Sequence, residues 1–368
     1  MTPGLADSNA IASAALTAVS KNTQCASAPS WLDLSLGGGK VVCIDEGFTG
    51  PNGTIFTLTA DAAGKLSAIH SSLTISGPVA TKFYNNNTAV ALAHYAGSAI
   101  STFKVSADGA YTPLQNFTYP GDNHGPKPQQ DKAHVHEAIL DPTGQYLVFP
   151  DLGLDRVHVY CIDPSTGNIT PHEDLKSPSG YGPRHATFWS SSGSSGNGTT
   201  YLFVIHELVN KIISYQVGYL EAGGLTFTQV DEVSTYGNKT APEGAAAAEI
   251  VMSPDNKFVI ASNRNNTIAM VPNPDPSNST EIGSDSIVTF KPSCEGKLNF
   301  VQLVPSGGSF PRHFSTNKDG SMIAVANQNT NNVDVYARDL ESGMIGNKVA
   351  SAFGIGPGAL TNVQWLED

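Results

Sequence analysis

His134-Val135-His136-Glu137-Ala138-Ile139-Leu140-Asp141-Pro142-Thr143-Gly144-Gln145-Tyr146-Leu147-Val148-Phe149-Pro150-Asp151-Leu152 reads as strand, turn, strand and polar end. His136, Ala138 and Leu140 fall on alternate positions, the period of a strand. Asp141-Pro142-Thr143-Gly144 is a turn, with proline presetting φ and glycine free to close it. Tyr146 to Phe149 is a short apolar run of the kind a buried strand shows, and it ends in Asp151. A further strand, Arg156 to Tyr160, follows a short loop.

The same grammar returns along the chain. Second-strand ends stand at Cys43-Ile44-Asp45-Glu46, Leu92-Ala93-His94-Tyr95, Phe149-Pro150-Asp151-Leu152, Ile205-His206-Glu207-Leu208, Ala261-Ser262-Asn263-Arg264 and Ala326-Asn327-Gln328-Asn329, 49 to 65 residues apart. Third strands are expected at Ala99–Val105, Arg156–Tyr160, Lys211–Val217, Thr267–Val271 and Asn332–Tyr336. A four-stranded unit repeating at this period predicts an all-β propeller. Six repeats are clear. A strand at Ala359–Trp365, joined with the irregular residues 1–30, is expected to complete a seventh, atypical blade, and a six-bladed ring is the alternative. Closure leaves no long unpaired edge. Residues 1–368 are read as one domain, because the repeat resumes after the low-complexity loop Ser190–Thr200 and after the polar excursion Pro272–Gly283.

Composition narrows the function. Charged residues are only 14%, and 32 acidic against 20 basic residues give a net charge of −12. No basic cluster marks a nucleic-acid footprint, and no apolar run reaches membrane-spanning length. Eight Asn-x-Ser/Thr sequons, at Asn52, Asn86, Asn116, Asn168, Asn197, Asn238, Asn265 and Asn278, predict a secreted glycoprotein. Of the four cysteines, Cys25 and Cys43 flank one predicted strand and are the expected disulfide; the pairing of Cys161 and Cys294 is open.

Lys127-Pro128-Gln129-Gln130-Asp131-Lys132-Ala133-His134-Val135-His136, Gly182-Pro183-Arg184-His185 and Phe310-Pro311-Arg312-His313-Phe314, together with Ala326-Asn327-Gln328, resemble the lactonase-type seven-bladed propellers. That family includes propeller 6-phosphogluconolactonases and fungal 3-carboxy-cis,cis-muconate lactonising enzymes. The resemblance runs from about Trp31 to the C-terminus. It implies a metal-free site of one His, two Arg and one Glu, falling on His136, Arg184, Arg264 and Glu207. The family histidine precedes an Asp-Pro turn, as His136 does. The arginines follow a proline (Arg184) and a pair of small residues (Arg264), and the glutamate ends a strand (Glu207).

The residue types suit that chemistry. Propeller strand ends converge on one channel mouth, so residues distant in sequence meet. Two guanidiniums bind a carboxylate or a developing oxyanion through paired N–H donors. His136 is a general acid or base near neutral pH. Glu207 is expected to orient it, or to donate a proton if burial raises its pKa. Arg312, His134 and Gln328 are candidate substrate contacts. A histidine at a strand start is more often structural than catalytic, and Arg312 equally suits a role in holding blades together. His134 and His136 share a strand face, but no third ligand stands at suitable spacing, so neither metal nor organic cofactor is expected. The leading reading is an enzyme acting on a small-molecule lactone or its ring-opened acid. A secondary-metabolite cyclase or isomerase, including a Diels–Alder-type cycloaddition, is the second reading, and a non-catalytic cell-wall or adhesion glycoprotein is the third.

Overall fold

The computed structural model describes residues 14–367 apart from 49, 122–123, 192–197 and 357. Its strands form six four-stranded antiparallel blades, each from one continuous stretch of chain. From inner to outer strand, blade 1 is Pro29–Asp33, Lys40–Asp45, Asn52–Ala60 and Leu66–Ile75. Blade 2 is Pro78–Tyr84, Ala89–His94, Ala99–Val105 and Tyr111–Thr118. Blade 3 has a minimal inner strand, Ile139–Leu140, then Tyr146–Asp151, Arg156–Ile162 and an outer strand split into Ile169–Pro171 and Leu175–Lys176. Blade 4 is Pro183–Ser190, Thr200–His206, Lys211–Tyr219 and Leu225–Ser234. Blade 5 is Ala246–Met252, Val259–Arg264, Ser286–Pro292 and Leu298–Pro305. Blade 6 is Pro311–Thr316, Met322–Asn327, Asn332–Arg338 and Ile345–Phe353.

The second strands are the most buried parts of the chain. Val90, Leu92, Leu147, Phe149, Phe203, Ile205, Ile260 and Val325 are fully buried. Successive residues on these strands point to opposite faces, so each strand feeds the two inter-blade layers on either side of it. Val204 packs in the layer shared with blade 3, and Phe203 and Ile205 pack against blade 5. This explains their continuous apolar runs, since a blade buried on both faces needs no polar alternation. Each such side chain contributes about 1.5–3 kcal/mol on burial.

One strand expectation is corrected, and the expected closing strand forms no ladder among the described residues. Thr267–Val271 is not the third strand of blade 5. Ala269–Pro272 pairs instead with Glu281–Ser284 in an inserted hairpin, and the third strand is Ser286–Pro292. The difference is burial: Met270 in the hairpin is 56% exposed, whereas Ile287, Val288 and Phe290 are buried. Ala359–Trp365 forms no ladder. It runs between the inner strands of blades 6 and 1, held by Thr361 Oγ1 to Pro29 O (2.7 Å), Ser315 Oγ to Val363 O (2.8 Å) and Trp365 Nε1 to Ser315 O (3.1 Å). Among the described residues, the N-terminal region builds no four-stranded blade either. Ala14–Ala15 pairs in parallel with the outer strand of blade 6, while Asn22 and Gln24 bond the outer strand of blade 1 at Leu66 and Ala68.

The expected disulfide is present: Cys25 is bonded to Cys43, Cα atoms 6.2 Å apart, anchoring this crossing segment to blade 1. Cys161 and Cys294 are free thiols. Asn52, Asn86, Asn116, Asn238, Asn265 and Asn278 are exposed and Asn168 is half-buried; Asn197 lies outside the described residues.

Candidate functional site

One local device builds the mouth of the channel. In five blades the inner strand begins with a register shift against the second strand, at Pro29/Trp31, Pro78/Ala80, Pro183/His185, Ala247/Ile250 and Pro311/His313. A bulge leaves its extra residue unpaired and re-aims the side chain. Proline suits the opening position because its missing N–H forfeits little at a strand start. The residues freed in this way include Arg184, Glu249 and Arg312. Each lies beside the end of its second strand, since Pro183 faces His206, Ala246 faces Arg264 and Pro311 faces Asn327.

Arg184, Glu207 and Arg264 meet there. Glu207 Oε2 sits 2.7 Å from Arg264 Nη2, and 2.9 Å from Arg184 Nε without the alignment of a hydrogen bond. Arg184 Nη1 donates to Ala248 O at 2.8 Å, and Arg264 donates to Ala246 O and Ala247 O. Arg264 also stacks over Phe310, 4.8 Å from the ring centroid. Asp285 fixes this corner by accepting the backbone N–H groups of Asn265, Asn266 and Phe310. Burial, then the nearby Arg264, pushes the Arg184 pKa down to about 9, so it stays charged at neutral pH. Burial acts to raise the Glu207 pKa, but Arg264 and Arg184 outweigh it and hold the carboxylate ionised. Glu207 is therefore a counter-ion. Its contacts are with the two arginines.

His136 lies beside the ion cluster, and its partner is another histidine. His136 Nδ1 is 3.1 Å from His185 Nε2, and His185 Nδ1 is 2.9 Å from Glu249 Oε1. His313 Nε2 approaches Glu249 Oε2 at 3.6 Å. Trp31 packs edge-on against His185 and His313, and Tyr95 against His136. Burial, then the Arg184 charge, pushes the His136 pKa well down, so the ring is neutral at neutral pH. Little space, about 10 Å³, remains among these rings, Arg184 and Arg312. They separate the mouth from a larger cavity of about 480 Å³ in the other half of the channel, where Lys82, Glu137 and Thr187 line the wall.

The other expected contacts divide. Arg312 faces the mouth and reaches Glu46 of blade 1 at 3.4 Å, so it both lines the channel and ties blade 6 to blade 1. Burial raises the Glu46 pKa despite that arginine. His134 does not join the cluster. Its ring nitrogens meet Tyr95 O (2.9 Å) and Asp131 (2.7 Å), and it stacks on Tyr95, supporting the ring that abuts His136. Gln328 bonds through its backbone N–H to Phe310 O, next to Arg264's aromatic platform.

His185, Glu249, His313 and Trp31 were not foreseen. The available signals were the repeated Pro-Arg-His and a lone carboxylate, Glu249, in the otherwise small and apolar Ala246–Met252. Among the described residues, Glu137, His185 and Glu249 bring potential metal-ligand atoms within 4.8 Å of one another. The expectation about metals considered only His134 and His136. Burial, then the Glu249 charge, raises the Glu137 pKa well above the usual range, while Glu137 accepts the Ala186 N–H at 2.7 Å.

The profile of the lactonase seven-bladed β-propeller family matches residues 8–360. The chain belongs to that family. It is 28% identical over 332 residues to a probable 6-phosphogluconolactonase of Arthroderma benhamiae, covering 89% of this chain and 78% of the relative. It is 30% identical over 261 residues to a 6-phosphogluconolactonase of Formosa agariphila, covering 70% and 65%. Among solved structures, the periplasmic gluconolactonase of Pseudomonas aeruginosa superposes with a TM-score of 0.71 at 25% identity, over 88% of this chain and 85% of that one. The family match extends the sequence resemblance to nearly the whole chain, including part of the atypical N-terminal region.

Proposed function

We propose that this family member hydrolyses a sugar-type lactone at the arginine-lined mouth, with His136 as the proton-transfer group and Arg184 and Arg264 as the oxyanion and carboxylate binders. The observation that carries this is the Arg184–Glu207–Arg264 cluster beside a neutral, buried His136. Relatives named 6-phosphogluconolactonase and gluconolactonase support the substrate class.

In the forward reaction His136 takes a proton from water as the water oxygen bonds to the lactone carbonyl carbon. The carbonyl oxygen gains the negative charge, and a guanidinium N–H aimed at it stabilises the tetrahedral intermediate. The ring C–O bond then breaks, the ring oxygen takes the proton back from His136, and a hydroxy acid is released. Its carboxylate suits an arginine pair already spaced around one carboxylate oxygen of Glu207. Lactonisation is the same path in reverse. A cycloaddition needs chiefly a shaped apolar wall, and the charged side chains at this mouth do not favour it.

Two finer readings accompany this. We infer a seven-blade organisation, with 359–365 in the place of a seventh inner strand, since that stretch already lies between blades 6 and 1. A secretory location is supported by the Cys25–Cys43 bond and the exposed sequons. The function is tested by following acid release from D-glucono-1,5-lactone and its 6-phosphate against the spontaneous rate. Acceleration lost in Arg184→Ala supports the proposal, and no acceleration of either lactone refutes it.

A further inference from the structure

Three blades contribute to one line of buried polar side chains: Glu249 from the inner strand of blade 5, His185 from that of blade 4, and His136 just before that of blade 3. From these contacts we infer that Glu249 and His185 act as positioning residues, fixing the His136 tautomer so that its Nε2 lone pair is the base of the site. The inference deepens the lactonase proposal and rests on it for the word base, but the tautomer itself does not.

Donors and acceptors along this line fix where each proton sits. Glu249 Oε1 already takes the Ile250 N–H at 3.0 Å, so it is placed as an acceptor. Burial acts to raise the pKa of this carboxylate, but its hydrogen bond with His185 and the Arg184 charge bring it down. An ionised carboxylate offers no proton, so His185 Nδ1, 2.9 Å away, must donate. A neutral imidazole with its proton on Nδ1 has only a lone pair at Nε2. Burial acts first to keep His185 neutral. His136 Nδ1, 3.1 Å from that lone pair, must then be the donor. The neutral His136 ring is left with an unprotonated Nε2, which has no hydrogen-bond partner among the described residues. Trp31 packs edge-on against His185 at 6.0 Å and Tyr95 against His136 at 5.4 Å, so both rings are held from the side as well as by their nitrogens.

A cation seated by Glu137, His185 and Glu249 would demand the reverse. It would take the His185 Nδ1 lone pair, move the proton to Nε2, and leave His136 protonated on Nε2. The 2.9 Å contact is the length of an N–H donating to a carboxylate. Charge also favours the relay: Glu46, Glu207 and Glu249 face Arg184, Arg264 and Arg312, with Glu137 held toward its neutral form by burial and by Glu249.

The test is the protonation pattern of His136 in long-range ¹H–¹⁵N spectra of the ¹⁵N-histidine-labelled full chain, recorded without substrate and with and without chelator. The His136 signals are assigned by their loss in His136→Asn. The relay predicts Nδ1–H and bare Nε2, unchanged by chelator. It also predicts that Glu249→Gln exposes a population with the proton on Nε2 and lowers kcat about 10²- to 10⁴-fold with KM little changed, as expected when a base is locked in the wrong tautomer. Nε2–H in the wild-type spectrum overturns the inference, as does a pattern that chelator reverses. If Glu249→Gln does not fold, the wild-type spectrum decides alone. If His136 shows the Nδ1–H form but no lactone is turned over, the lactonase reading fails and the relay stands.

Discussion

Replacing Glu207 with glutamine removes one negative charge and almost no volume, which makes it the cleanest perturbation of the mouth. The side chains of Arg184 and Arg264 are 2% and 8% exposed, and each has a nitrogen within 3 Å of Glu207 Oε2. At an effective dielectric near 20, a pair about 4 Å apart is worth about 4 kcal/mol. Two such pairs exceed the desolvation that glutamine would relieve, and the two guanidiniums would then repel each other without screening. Removing one partner of a buried pair costs about 3–5 kcal/mol, and the same loss is expected here. Glu207→Ala removes the same charge and also vacates the carboxylate's place, which should then bind small carboxylates. Acetate at about ten times its Kd would restore about 1.4 kcal/mol in Glu207→Ala and nothing in the wild type. Urea unfolding with and without acetate measures both effects. A loss below about 1 kcal/mol with no acetate dependence would refute the view that Glu207 is the counter-ion of this site.

Reducing the Cys25–Cys43 bond should lower stability by about 3 kcal/mol in the loop-entropy view, read as a shifted urea midpoint; an unchanged midpoint would show that the crossing segment is held by other contacts. Acid should destabilise the fold through His94 and His206, whose pKa values burial lowers to about 4 and about 3. Both stay neutral in the native state while the unfolded chain binds protons below pH 6.5, so their contribution is complete above pH 6.5 and is lost as pH falls toward 4. Each is worth up to about 3 kcal/mol, and His94→Asn should flatten the pH dependence measured by urea unfolding at pH 5 and pH 7.5. Arg264→Ala should slow lactone hydrolysis about 10²- to 10³-fold, the usual cost of losing one oxyanion donor, and a rate within threefold of wild type would remove Arg264 from the chemistry.

The blades were legible because each second strand is a continuous apolar run with a turn before it and a polar residue after it, a pattern set by burial on both faces. Thr267–Val271 misled because an exposed hairpin carries the same alternation as a buried strand, and only the deeper burial of Ile287 to Phe290 separates them. Arg184, Glu207 and Arg264 are picked out by the resemblance to the lactonase propellers, and their meeting follows because strand ends converge whatever lies between them. The partner of His136 could not be read in this way. It depends on a bulge that frees Glu249 and on another that frees Arg184 just before the paired His185, and a bulge leaves little mark in a sequence beyond a proline before an unpaired residue. The sign of the Glu207 shift is not legible in the sequence for a related reason. Burial alone argues for a raised pKa, and only the two guanidiniums within 3 Å reverse the sign.

The proposed lactone hydrolysis at this mouth requires His136 and its flanking arginines. Initial rates of acid release from D-glucono-1,5-lactone, background subtracted, should be compared for wild type and His136→Asn, with the variant's urea midpoint checked against the parent. The account predicts clear acceleration by the wild type and a loss of about 10²- to 10⁴-fold in a folded His136→Asn variant. A folded His136→Asn variant that retains the wild-type rate would contradict it.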